Sequence, residues 1–183
     1  MIAKLRLVSG FAGLLLAGAA LAQTNPAPAP AVGGREASGA DQSFAKEAAV
    51  GGMSEVELGR LAVEKATDPR VRQFGQQMID DHSKANDALK AAASKEGITL
   101  PTATDAKHEK TMERLQKLSG SQFDAAYTEE MLRDHKEDVA AFEKEAKAGD
   151  SPVQKFAADT LPTLQKHLQM IEAIHGSSSK PGR

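Results

Sequence analysis

Three histidines stand where a helical protein would ordinarily place leucines. His82 follows Asp81 within the run Val71, Phe74, Met78, His82, Ala85, Leu89. His135 follows Asp134 within Phe123, Tyr127, Met131, His135, Val139, Phe142, and His167 sits among Val153, Phe156, Leu164, Ile171 and Ile174. Steps of three and four residues mark each run as one face of an α-helix packed on a core. Imidazole and carboxylate are costly to bury unless they are paired, hydrogen-bonded or bound to a cation. Neutral imidazoles are also good ligands for divalent transition metals, with nearby carboxylates as further ligands or as partners that orient the rings. The candidate chemistry is a metal site formed by His82, His135 and His167, with Asp81 and Asp134 as supporting partners and iron, zinc or copper as the ion. Glu57 joins the set because i+4 spacing aligns it with Met53 and Leu61, whereas Glu55 is placed to the side. A competing reading needs no metal: each histidine completes a core hydrogen bond with a neighbouring acid.

Ala, Lys, Glu, Gln and Leu are abundant and β-branched runs are missing, so the class is expected to be all-α. The spacing predicts a first helix over residues 42–66 and a second that starts after Asp68-Pro69 and ends before Gly97. Asp caps the second helix and Pro takes its first position. Pro101 and two threonines make 97–105 a connection, followed by a short helix over 106–118. A third long helix is predicted over 121–148, and a fourth starts at Asp150-Ser151-Pro152 and is kinked at Pro162. Two helical hairpins joined by a crossover that carries a short fifth helix make a ferritin-like four-helix bundle.

At about 1.5 Å per residue, Glu57 and His82 lie roughly 15 and 21 Å from the first hairpin loop. His135 and His167 lie roughly 21 and 25 Å from the second. If the crossover spans the bundle, all four fall within about 6 Å of one height; if the loops share an end, the spread grows to about 10 Å.

The remaining segments speak to location. Lys4 and Arg6, the apolar run 7–16 and Ala20-Leu21-Ala22 resemble a secretory signal over residues 1–22. A Pro/Ala/Gly-rich linker is expected over 23–42, the bundle over 43–175 and a disordered tail over 176–183. The predicted location is the periplasm or the exterior. The chain has no Cys, so it offers no disulfide, no thiolate ligand and no site for a lipid anchor. Without the signal, 21 basic residues face 25 acidic ones, a net charge of −4. With one Tyr and no Trp besides, neither nucleic acid nor a membrane surface is an expected partner. A homo-oligomer or an envelope protein partner fits the composition.

Other motifs have blander readings. Glu172-x-x-His175 has di-iron spacing but occurs once, at a helix end, where a di-iron oxidase needs two such motifs facing inward. His108 is expected to face solvent. Met53, Met78, Met131 and Met170 could offer thioethers to copper but suit core packing. Gly51-Gly52 suggests close helix approach or a bend, and Glu143-Lys144-Glu145 a solvated face.

Four segments carry a family resemblance: 51–59 (GGMSEVELG), 78–82 (MIDDH) with Ala85-Asn86, Met131-Leu132-x-Asp134-His135, and Thr160-Leu161-Pro162-x-Leu164-x-x-His167-Leu168. Over residues 44–174 the chain resembles a secreted bacterial family, domain of unknown function 4142, often described as predicted outer-membrane proteins. The resemblance implies a ferritin-like fold and export but no reaction. The expected function is an exported metal-binding bundle with no reaction assigned; the alternative is a structural or interaction bundle of the envelope, related to stress, with no metal and no catalysis.

Overall fold

The computed structural model describes residues 37–178. The expected signal, the linker up to residue 36 and the tail from residue 179 lie outside the described residues. Five helices follow in order: α1 Gly39–Lys65, α2 Pro69–Lys95, α3 Ala106–Gln116, α4 Gly120–Ala146 and α5 Pro152–Ser178. Among the described residues there is no strand. Both ends of the bundle are longer than expected, since α1 takes in residues 39–42 and α5 takes in 176–178.

Local chemistry sets these boundaries. Ser38 caps α1, its hydroxyl accepting from the Asp41 backbone N–H. Asp68 caps α2 ahead of Pro69, and Asp105 caps α3 by accepting from the N–H groups of Lys107 and His108. Ser151 accepts from the Gln154 N–H just before Pro152 opens α5. Gly97 follows α2 at φ 67° and Gly120 opens α4 at φ 57°, backbone conformations that glycine adopts without a Cβ penalty. Helix α5 runs on through Pro162.

Contacts between the ends fix the topology. The α1–α2 loop meets the start of α4, where the Asp124 carboxylate accepts from the Thr67 and Asp68 N–H groups and the Thr67 hydroxyl. The α4–α5 loop meets the opposite end of the first hairpin. There the Ser151 hydroxyl and Gln154 amide donate to Asp41, and the Val153 N–H donates to Glu96. The two hairpin loops therefore lie at opposite ends, and the crossover with α3 spans the bundle. This is ferritin-like connectivity. Within the first hairpin, α1 and α2 come close at Gly59 and Gly75. A Cβ on Gly59 would lie 2.6 Å from the Gly75 carbonyl oxygen.

The core has two apolar halves. Leu58, Leu61, Phe74, Met78, Phe123, Tyr127, Met131 and Ile171 fill the half nearest the α1–α2 loop, with Leu115 of α3 closing its side. Phe44, Leu89, Phe142, Val153, Phe156 and Leu164 fill the other. On each long helix one buried titratable residue falls between the two sets: Glu55, His82, His135 and His167.

Candidate metal centre

Each of these four residues lies within about three residues, or about 5 Å, of the middle of its helix. All are buried, His135 and His167 completely. The three rings form a nearly equilateral set, with centres 5.9 Å apart for His82–His135, 5.4 Å for His82–His167 and 5.5 Å for His135–His167. One ligating nitrogen from each ring lies within 4.8 Å of the other two. Three imidazoles on a single ion, at about 2 Å per bond, would have ring centres about 5–5.5 Å apart. The observed triangle needs only a slight contraction to meet that geometry.

Hydrogen bonds orient every ring from behind. The His135 Nδ1–H donates to the Met131 carbonyl one turn earlier at 3.0 Å. The His167 Nε2–H donates to Asp81 Oδ2 at 2.9 Å, and His82 Nδ1–H donates to Glu55 Oε2 at 2.8 Å. Each ring thus carries its proton on the outward nitrogen. The other nitrogens, His82 Nε2, His135 Nε2 and His167 Nδ1, are buried without a hydrogen-bonding partner. Backing by a carboxylate or a carbonyl is the support that metal-ligating histidines ordinarily have, because it fixes the tautomer and raises ligand basicity. Asp81 is itself held by the Gln77 side chain at 2.5 Å.

Burial controls the charge states. It lowers His82 and His135 to about 4 and pulls His167 below its ordinary value, so the imidazoles stay neutral, the form in which they bind metals. Burial raises Glu55 to about 7, against the opposing influence of His135. Asp138 is pushed well above the usual carboxylate range, first by burial and then by Glu55. Burial also raises Asp81, but hydrogen bonds from Gln77 and His167 outweigh it and hold the carboxyl low.

The sequence and the fold both have known counterparts. The profile of the domain of unknown function DUF4142 matches residues 26–174. The chain belongs to the DUF4142 family. No curated protein matches it. Among solved structures it is similar to a DUF305 fragment from Deinococcus radiodurans, at TM-score 0.68 and 16% identity, covering 78% of this chain and 99% of that one. A DUF305 protein from Streptomyces coelicolor aligns at TM-score 0.64 and 16% identity, covering 79% and 97% of the two chains. At that identity the likeness extends to the fold alone.

In this DUF4142 chain His82, His135 and His167 meet at one point, and Asp81 stands behind His167. Glu57 does not join them: it is exposed, and Glu55 is the acid at the cluster. The reason is the width of the buried arc on α1, which packs against α2, α4 and α3. Leu61 lies at one edge of that arc, so alignment with it does not place Glu57 inside. Glu57 shares the exposed strip with Arg60 and Glu64, and Glu55 falls on the opposite, central line with Ala62. The burial of Gly52, Gly59 and Ala62 is the signal that would have found it, since small residues mark where neighbouring helices come closest. Asp134 backs no histidine; it pairs with Arg133 at 3.2 Å and lines a surface cleft.

The other motifs resolve simply. His108 is only 22% exposed, with Nδ1 2.6 Å from Asp105, so it is more covered than expected. Glu172 is exposed, which keeps Glu172-x-x-His175 from forming half of a di-iron motif. Met78 and Met131 are core residues, and Gly52 packs against the Asn86 side chain.

Proposed function

We propose that this DUF4142 protein binds one divalent transition-metal ion through His82, His135 and His167. The observations that carry the reading are that His82, His135 and His167, one from each of three helices, each offer a ring nitrogen within 4.8 Å of the other two, and that each keeps one buried nitrogen without a hydrogen bond, the nearest acid being Glu55 Oε1 at 3.6 Å from His135 Nε2. If the histidines served only one another, those atoms would be paired. Leaving a buried polar atom unpaired costs about 1–3 kcal/mol, and three such atoms at one point favour a ligand that takes all of them. Nitrogen donors select iron, cobalt, nickel, copper or zinc over magnesium and calcium. Asp81 supplies negative charge from behind His167, Met131 supplies a carbonyl behind His135, and the Glu55 carboxyl bonds His82 with one oxygen and lies 3.6 Å from His135 Nε2 with the other.

Export belongs to the same reading. It rests on Lys4, Arg6, the apolar run 7–16 and Ala20-Leu21-Ala22. Among the described residues no helix is long and apolar enough to cross a membrane.

Metal analysis of protein purified without an affinity tag tests the proposal. The expected result is close to one equivalent of a transition metal per chain. Stripped protein should gain roughly 2.7 kcal/mol of stability at a hundredfold excess of ion over its dissociation constant. No bound metal, and no thermal shift with iron, zinc or copper, would refute it.

A further inference from the structure

The imidazoles are shut away from solvent, and two hollows approach the cluster from the His82 side. A cleft of about 430 Å³ opens between α1, α4 and the crossover, with Glu47, Asp134 and Glu137 among its walls and Lys46, Lys107 and His108 as its basic groups. A void of about 20 Å³, room for roughly one water or one bare ion, lies deeper and is lined by His82. Gly51, Glu55 and Asp138 line both hollows and so form the neck between them.

The chemistry of the neck suits a cation in transit. Glu55 is 4% exposed; its Oε2 accepts from His82, while its Oε1 makes no hydrogen bond and lies 3.6 Å from His135 Nε2, so one carboxyl borders both the cleft and the rings. Asp138, on the facing helix, makes no side-chain hydrogen bond or ion pair among the described residues. Two adjacent carboxyl groups, whose protons a divalent ion would displace, offer hard oxygen ligands at the point where an ion would shed its water. One turn before Glu55 on α1 stands Gly51, where an added Cβ would meet nothing within 4 Å. A small residue there leaves the neck open at the cost of helix propensity, about 1 kcal/mol relative to alanine.

We propose that a divalent cation reaches the histidines through this neck, captured in the cleft by Glu55 and Asp138 and passed beside Gly51 to the ring nitrogens. This inference rests on the metal-binding reading above. It assigns the cleft as the access route and Asp138, with Glu55 as the acid shared with the rings, as a loading site beside the three imidazoles.

Stopped-flow mixing of the full chain with Co(II) follows the visible absorption that develops on imidazole coordination, and release is timed after adding excess EDTA. Gly51→Leu, which projects a side chain into the neck and improves helix propensity, should slow uptake and release by the same factor, about tenfold, equivalent to about 1.4 kcal/mol on the barrier. Its equilibrium affinity should match wild type. Gly51→Ala, too small to fill the neck, should keep wild-type rates. Asp138→Asn should slow uptake several-fold and weaken its dependence on salt, and it carries the test if Gly51→Leu fails to fold. Uptake at the wild-type rate in Gly51→Leu and Asp138→Asn, with the cobalt spectrum intact, overturns the route while leaving the histidine site standing. Absence of the spectrum in wild type overturns the histidine site, and the route with it.

Discussion

Replacing Glu55 with glutamine separates the charge of this side chain from its shape. In the fold, burial raises the carboxyl to about 7, whereas the same group in an unfolded chain ionises near 4.5. A carboxyl whose folded value is raised contributes its stability fully below the unfolded value and loses it as pH climbs through the folded one. Across that window the ionisation of Glu55 should cost the native state roughly 3 kcal/mol. Glutamine carries no such dependence, and its amide oxygen can still accept from the His82 Nδ1–H. In urea unfolding of the metal-free protein with EDTA present, the two proteins should differ by only about 1 kcal/mol near pH 5. The balance should then tilt toward Glu55→Gln by about 2–3 kcal/mol as pH rises to about 8. Stability profiles that stay parallel from pH about 5 to about 8 would refute the reasoning, because Glu55 would then ionise alike in both states.

Four further outcomes follow from the geometry. Gly59→Ala should destabilise the protein by about 2–3 kcal/mol in urea unfolding, because its Cβ would meet the Gly75 carbonyl oxygen at 2.6 Å and force the two helices apart. Gly51→Ala, which meets nothing, should instead add about 0.5–1 kcal/mol from helix propensity. In metal competition assays, Asp81→Asn should weaken binding about 10–100-fold by removing the carboxylate behind His167, while exposed Glu57→Gln should leave the affinity unchanged.

The architecture was legible because local and global signals agree. Asp68-Pro69 and Ser151-Pro152 open helices where expected, and the 3.6-residue spacing around His82, His135 and His167 places all three inward. Their convergence depended on whether the crossover spans the bundle, a long-range matter on which spacing is silent. Asp124 at one end and Asp41 at the other decide it, through bonds to residues more than fifty positions away in the chain.

The acid at the site was the harder residue to place. Helical periodicity locates an inward face well when one side of a helix is buried, as on α2, but α1 is buried over most of its circumference. There, i+4 alignment with a core residue no longer separates the centre of the buried arc from its edge, and it favours Glu57 over Glu55. The Gly59–Gly75 approach is not legible in the sequence for a related reason: it depends on two glycines on different helices, and neither alone announces a partner.

The central claim is tested most directly by calorimetric titration of the metal-free, untagged protein with Zn(II) or Co(II), alongside variants in which each histidine is replaced by alanine. The account predicts one ion per chain in wild type and loss of that binding with His82→Ala, His135→Ala or His167→Ala while the helical fold persists. Wild type that takes up no ion, or a variant lacking all three histidines that binds as wild type does, would contradict it.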